Sequence, residues 1–305
     1  MKIFLTLTLT WITIALCYSQ SVDLSFKLEN GKEYKQVIHS KSTIIQEVNG
    51  QKMEMGMTTI GSMTFLVKTI DEEGYIMDTR FDELSIVMKM PQETMEFSSE
   101  KHNVNDIFST ILAAMKNKPF EVHMSKTGKI TKINHLQDHW ETVINQFNHL
   151  SQMEKEEIKA QVMRAYGPEA IRGNIEMGTA IYPDEPVNIG DQWTIHTKLK
   201  SRMSAKMSTD YVFADLTSDY ALIKGNSIIE SADNDAYIES SGVSMKFDVT
   251  GSMTSEIKVD NKTGWIMEAI IHQNIKGDAY IQENPQLPHG MKIPMIMKNE
   301  MMITH

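Results

Sequence analysis

The first hundred residues alternate apolar and polar positions, which is the period of strands that bury one face. The dipeptide Asn49-Gly50 separates two of these runs, and both residues tolerate the positive φ that a type I′ hairpin turn requires. A second turn at Glu73-Gly74 leads into a further run. The pattern therefore predicts an antiparallel meander over residues 23–97.

A helical period replaces this alternation in the middle of the chain. The apolar spacing over 107–115 predicts a first helix, capped by Asn103 or Asn105. A second helix is expected after Asn134, and a third opens at a capping box that begins with Ser151. These helices would lie between two β segments.

The third helix is expected to stop at Gly167-Pro168 and to be followed by a loop through Gly178. Strands then alternate with turns from Trp193 onwards. The last segment, 285–305, contains several prolines, which favour an edge strand or a covering arm over a central strand.

Together these elements predict an α+β fold dominated by antiparallel strands. The strands would form one or two strongly curved sheets or a half-barrel, with two or three helices in the middle of the chain. Because no linker rich in Pro, Gly or Ser interrupts the sequence, we expect residues 20–305 to form a single β-rich domain. The alternative is two packed halves, 20–133 and 180–305, around a helical middle, 134–170.

Two short sequences occur in both β segments. GSMT at 61–64 recurs at 251–254, and KTG at 126–128 recurs at 262–264. Each belongs to a strand, a tight turn with glycine in the left-handed region, and a second strand. Because the two pairs have different offsets, an internal duplication and the convergence of similar hairpins both remain open.

The N-terminus has the pattern of a secretory signal. Lys2 precedes an apolar run over 3–16, which is shorter than the roughly 20 residues that a membrane span needs. The pattern predicts a signal peptide at 1–19, with a retained anchor as the alternative. Cys17 raises lipid attachment, but the bulky Leu16 stands where lipobox sequences have a small residue. We expect a protein exported to the periplasm or the cell exterior.

The formal net charge of −10 argues against nucleic acid and anionic lipid surfaces as partners, since no block of Lys and Arg supplies a cationic patch. No integral membrane span is predicted in the mature chain. With cleavage after Ser19 the mature protein would contain no cysteine, so its core alone would stabilise it.

The motifs that catalysis commonly uses are not found in the sequence: there is no nucleophile elbow, phosphate-binding glycine loop, HExxH or cysteine pair. We therefore name no catalytic residue and no cofactor, and expect a protein that is not an enzyme. His135 and His139, four residues apart, could ligate a metal, but they are interpreted as histidines on a solvated helix face.

Methionine is the most unusual feature of the composition, with 24 residues. In three segments, 53–57, 88–90 and 295–297, methionines alternate so that their thioethers share one face of a strand. They fill an ordinary core, line a ligand-facing surface, or, less in keeping with the sequence, hold Cu(I). The candidate ligand-facing residues are Met53, Met55, Met57, Met88 and Met90.

One motif resembles a known family. Tyr182-Pro183, Pro186-Val187, Gly190-Asp191 and Trp193 form the pattern YPxxPVxxGDxW, which is similar to that of exported Bacteroidota proteins catalogued as a domain of unknown function. The resemblance implies a bacterial envelope location and brings no activity or ligand. More loosely, the predicted architecture resembles the half-barrels of periplasmic lipoprotein carriers and mycobacterial lipid-transfer lipoproteins.

The leading hypothesis is an envelope protein that binds a lipid or another hydrophobic or amphipathic ligand in a groove. The alternative is a structural or interaction module that binds another envelope protein, and copper handling is a third. The first two differ in whether the five methionines line a void or are packed solid.

Overall fold

The computed structural model of the protein describes residues 21–48, 50–101, 106–200, 204–232, 237–240, 243–285 and 287–305. The expected signal peptide, Cys17 and the caps Asn103 and Asn105 lie outside these ranges. Within them the strands are β1 (Glu33–Val48), β2 (Gln51–Ile70), β3 (Tyr75–Lys89), β4 (Thr94–Ser98), β5 (Phe120–Met124), β6 (Ile130–Asn134), β7 (Gln192–Lys200), β8 (Ser204–Leu216), β9 (Tyr220–Ser231), β10 (Ile238–Ser240), β11 (Val243–Asp260), β12 (Ile266–Ile281) and β13 (Met291–Thr304). The helices of the same ranges are α1 (Ile107–Met115), α2 (Leu136–Asn145), α3 (Gln152–Tyr166) and α4 (Pro168–Thr179).

The strands form one antiparallel sheet. Its main path is β6-β5-β3-β2-β1-β13-β12-β11-β9-β8-β7, with β4 paired to β3 and β10 paired to β11. The sheet is open and curved, and the helices come from the middle of the chain. This confirms the predicted fold class.

The two β segments of the sequence meet at the centre of the sheet. β1 pairs with β13 from Val37 opposite Thr304 to Gln46 opposite Met295. The prediction that the C-terminal segment is an edge strand or a covering arm was therefore wrong. Pro294, which has no N–H to donate, lies just beyond the last β1–β13 pair, so its ring interrupts no bond to β1.

The helix predictions hold in part. α1 and α3 lie where the periodicity placed them, and Ser151 caps α3 by the predicted capping box. The loop predicted through Gly178 is wrong, because Pro168 begins α4 instead of ending the helical layer. Proline is favoured at the first position of a helix, where its missing N–H is not needed.

Helix α4 packs between the two edges of the sheet, against β6 on one side and β7 on the other. Gly178 of α4 also approaches the side chains of Ile303 and Ile266 from the central strands. The sheet therefore bends around α4, and the face that contacts the helices is its inner face. We call the gap between β6 and β7 that α4 fills the seam.

Glu176 joins α4 to the β6 edge, since its Oε1 accepts a hydrogen bond from the Ile130 N–H at 2.8 Å. Burial raises the pKa of Glu176 above its ordinary value of 4.5, and this outweighs the bond from Ile130 and the nearby Arg172 and Lys129 charges. The folded protein thus binds this proton more tightly than the unfolded chain, and the resulting stabilisation is lost as pH rises through the raised pKa.

We expect Glu176→Gln, which keeps the acceptor oxygen, to gain stability relative to the wild-type protein between about pH 4 and about pH 7. The free energy of unfolding of both proteins, measured by urea titration across this range, tests the sign. A difference that does not change with pH would contradict it.

The two KTG sequences form turns that hold the same segment. The Phe26 N–H donates to the Lys126 carbonyl at 2.8 Å, and the Lys27 N–H donates to the Thr263 carbonyl at 2.8 Å. The recurrence therefore has a structural correlate: each turn presents a backbone carbonyl to the chain that enters β1.

An aromatic cluster fills the core beneath these turns. The ring centroid of Trp265 lies 5.1 Å from that of Tyr34, 5.4 Å from that of Phe65 and 5.9 Å from that of Phe26. Phe26 also meets Tyr182 edge to face at 5.1 Å. Such pairs add to the area that the rings bury, and they fix the N-terminal segment on the inner face.

Candidate functional site

Three of the predicted methionines lie on β2 and face inward. Strand register places Met57 opposite Ser42 of β1, and Ser42 opposite Asn299 of β13. The same row continues through Gln273 to Met253, which is buried in the core. Because residues opposite each other in a sheet share a face, Met53, Met55 and Met57 face the same side as the core.

Cross-strand neighbours extend this set into a surface. Met57 is opposite Met88, which is opposite Met95 of β4. Met55 is opposite Ile44, which is opposite Met297. Opposite side chains lie about 5 Å apart at Cβ, so these groups form one apolar patch. We call it the methionine surface, and its members are Met53, Met55, Met57, Met88, Met95, Met297 and Ile44.

Met90 does not share this arrangement. It lies one residue beyond β3, in a turn where its N–H and carbonyl both pair with Glu93. The predicted alternation of Met88 and Met90 along one strand face is therefore wrong, because the strand ends before Met90.

The inner face is more deeply buried on one side of the sheet than on the other. We call β8 to β12 the packed wing, and β2 with β3 the open wing. On β8 to β12, Met207 is 3% exposed and Met253 is 2% exposed. On β2 and β3, Met53 is 38% exposed, and Met55, Met57 and Met88 are half-buried. Methionines in the same cross-strand rows of the inner face are therefore buried on β8 to β12 and partly exposed to solvent on β2 and β3. Neither of the two cavities described below is lined by the methionine surface.

A band of neutral polar groups borders the methionine surface. The hydroxyls of Ser40 and Ser42 donate to Oδ1 of Asn299 at 2.8 Å and 2.9 Å. These hydroxyl and amide groups could bind an uncharged polar part of a ligand whose apolar part contacts the methionines.

A buried phenol lies farther along the inner face. Tyr211 stacks against Trp193, with ring centroids 5.9 Å apart. Burial raises the pKa of Tyr211 to about 12, so the phenol is neutral at physiological pH. The packed wing is therefore uncharged at this position.

The two aromatic residues of the YPxxPVxxGDxW pattern make structural hydrogen bonds. The Tyr182 hydroxyl donates to the Gly264 carbonyl, and burial raises the pKa of Tyr182 well above its ordinary value. The Trp193 indole donates to the Ile181 carbonyl at 2.9 Å. The motif thus ties the entry of β7 to the aromatic cluster.

The ranges that the structure describes contain neither a cluster of metal-ligating side chains nor a helix that could span a bilayer. In those ranges no three His, Cys, Asp or Glu side chains converge as a metal site would require. Of the two candidate metal ligands, His139 contacts the Pro119 carbonyl through Nε2, and His135 is the N-cap residue of α2. No helix within the described ranges is long and apolar enough to cross a bilayer.

Sequence reasoning missed Met95 and Ile44, and it placed Met297 only on the same strand face as Met295, not beside the methionines of β2. The position of Ile44 was predictable, because the turn signal at 49–50 in the sequence predicts Val48 opposite Gln51 and hence Ile44 opposite Met55, and the structure has this register. Met297 pairs with Ile44, which is 253 positions earlier in the sequence (297 − 44), and no local pattern indicates that pairing.

Comparisons with known proteins give a family. The model of a family of unknown function (DUF6263) matches residues 72–266, from the turn before β3 to the start of β12. No curated protein matches the sequence.

Among solved structures, one of lipovitellin and its lipid–protein interactions is similar over 90% of this chain and 25% of its own, with 8% identity and a TM-score of 0.49. The chain therefore spans about a quarter of that protein. OprD of Pseudomonas aeruginosa has 7% identity and a TM-score of 0.14, over 93% of this chain and 98% of its own. OmpT, an outer membrane protein of Vibrio cholerae, has 6% identity and a TM-score of 0.15, over 92% of this chain and 99% of its own.

Proposed function

This chain belongs to a family of unknown function (DUF6263), and we propose that it is an exported, non-enzymatic protein that binds a hydrophobic or amphipathic ligand on its methionine surface. One observation carries the proposal: methionines on the same inner face are packed on β8 to β12 but left partly open on β2 and β3. Contiguous apolar side chains that remain accessible to solvent are typical of interaction sites.

The chemistry of methionine supports a ligand of variable shape. Its unbranched side chain has three rotatable bonds and a polarisable thioether, so it adapts to irregular apolar surfaces such as acyl chains. The band that includes Ser40, Ser42 and Asn299 offers neutral hydrogen-bonding groups at the edge of the methionine surface. A ligand with an apolar body and an uncharged polar group would match both.

The proposed location rests on the sequence. The cation and short apolar run at 1–16 are typical of an export signal, and the YPxxPVxxGDxW pattern is similar to that of exported Bacteroidota proteins. We place the protein in the bacterial envelope on that basis. Mass spectrometry of the mature N-terminus tests it, since export with cleavage would leave Gln20 as the first residue.

The ligand proposal predicts that Met57→Lys and Met88→Lys weaken binding of a neutral naphthylamine probe by at least about tenfold, because a bound apolar group would desolvate the added ammonium. Fluorescence titration of the delipidated protein measures the dissociation constants. Met153→Lys on α3 is the matched control, since Met153 is 81% exposed and lies outside the methionine surface. Equal affinity in all three variants, or no saturable uptake by the wild-type protein, would overturn the proposal.

A second candidate is a surface for another envelope protein. On the outer face Ile228 is 64% exposed. On the same face Ile270 lies directly opposite Met302, and these two residues are 41% and 44% exposed, respectively. Substitution of Ile228 and Ile270 by lysine would then reduce co-purification of a partner from the envelope fraction. The same substitutions leave probe binding unchanged, so the two functions are separable.

A further inference from the structure

The seam contains a cavity of about 240 Å3, bordered by α4, the start of β6 and four consecutive residues of β7. It lies at the edges of the sheet, whereas the methionine surface lies on β2, β3 and their neighbours. Its ionisable lining consists of Lys129, Glu169, Arg172, Glu176, His196 and Lys198.

Arg172 is incompletely satisfied within the described part of the chain. Its Nε–H is buried and has no hydrogen-bond partner there. Its Nη1 lies 3.6 Å from Oε1 of Glu169, which is an ion-pair distance beyond good hydrogen-bond length. A buried donor without an acceptor carries a desolvation penalty, so the unpartnered Nε–H of Arg172 beside a cavity indicates a place for an acceptor.

The lining also carries more positive than negative charge. Lys129, Arg172 and Lys198 oppose Glu169 and Glu176, and Oε1 of Glu176 already accepts the Ile130 N–H. This excess stands out in a protein whose formal net charge is −10. Lys129 and Lys198 are exposed, so an anion in the cavity can reach both from solvent.

We infer that the seam cavity binds a small anionic group, a carboxylate or a phosphate, with Arg172 as its main anchor and Lys129 and Lys198 as flanking cations. A guanidinium presents paired donors that match two oxygens of either group, and the ammonium groups add point charge. The volume holds a free anion or the head group of an anionic amphiphile. The inference is independent of ligand binding at the methionine surface.

The test uses the mature chain and two probes. Inorganic phosphate is titrated by calorimetry at constant ionic strength, and vesicles of phosphatidylglycerol are compared with vesicles of phosphatidylcholine by flotation. The variants are Arg172→Gln and the more exposed Lys198→Gln, and Lys276→Gln is the control, because Lys276 is exposed on β12 and does not line the cavity. Thermal unfolding without ligand checks that each variant is folded.

Saturable phosphate binding supports a free anion as the ligand, provided that the variants differ in the expected order. Arg172→Gln should weaken binding at least about tenfold, Lys198→Gln should weaken it less, and Lys276→Gln should leave it unchanged. The same ranking for phosphatidylglycerol vesicles, without phosphate binding, supports a lipid head group. The inference is overturned if neither probe binds, or if all three variants lose binding equally, as general charge attraction would require. None of these three substitutions is expected to change binding of the neutral naphthylamine probe at the methionine surface. This inference and the proposed function can therefore fail separately.

Discussion

Replacement of Gly264 by alanine is expected to destabilise the protein by about 4 kcal/mol or more, among the largest effects of a single substitution. Gly264 has φ +69°, and a Cβ there would lie 2.3 Å from the carbonyl oxygen of Ser25 and 3.1 Å from Cα of Phe26. The obstacle is backbone, which cannot rotate away as a side chain can. Relief would require the N-terminal segment to leave the turn that holds it.

Gly31 supplies the matched control for this prediction. Its φ is +77°, close to that of Gly264, but a Cβ at Gly31 would meet nothing within 4 Å. Gly31→Ala should therefore cost only the strain of a left-handed residue, about 1–2 kcal/mol. Urea unfolding of both variants isolates the effect of the close approach. If the two costs were equal, the contact between the second KTG turn and the N-terminal segment would not hold in solution.

Substitution of Trp140 by alanine should cost about 3–5 kcal/mol, the range for a large buried aromatic residue. Trp140 on α2 is 1% exposed and packs against Phe81 of β3 and Tyr166 of α3. The space that adjoins the ring is a cavity of only about 10 Å3, so neighbouring side chains have little freedom to fill the void.

Trp140→Phe separates packing from hydrogen bonding at the same position. The indole Nε1–H donates to the Tyr166 carbonyl at 2.9 Å, and phenylalanine keeps most of the ring but loses this donor. We expect a loss well below that of alanine, about 1–3 kcal/mol. Denaturant unfolding followed by circular dichroism measures both variants. A negligible loss in Trp140→Ala would show that α2 is not packed on β3 as described.

Local patterns predict the strands and helices well wherever neighbours in sequence determine the structure. The alternation over 23–97 and the capping box at Ser151 each depend on contacts within a few residues, and both appear in the fold. Pro168 was misread, because a proline after a glycine fits both the end of one helix and the first turn of the next. Only a proline in the first turn of a new helix is compatible with α4 packing in the seam. That packing is a long-range contact, and neither Gly167 nor Pro168 encodes it locally.

The candidate site depends on long-range pairing even more strongly. Alternation alone placed Met53, Met55 and Met57 on one face, but it could not tell which wing of a curved sheet would remain open. The polar band was also beyond reach, because Ser40 and Asn299 become neighbours only through the β1–β13 pairing.

The β1–β13 pairing has a consequence for the order in which the protein folds. Ser40 and Asn299 are 259 positions apart, so the strands at the centre of the sheet come from opposite ends of the chain. During synthesis β1 has its hairpin partner β2 early, but its other edge stays unpaired until nearly the whole chain has been made. Such distant contacts close slowly because of the entropy of the intervening loop. The chain therefore completes its sheet last, at the middle. Removal of the final strand would leave two separate sheets and would create two new unpaired edges, one on β1 and one on β12.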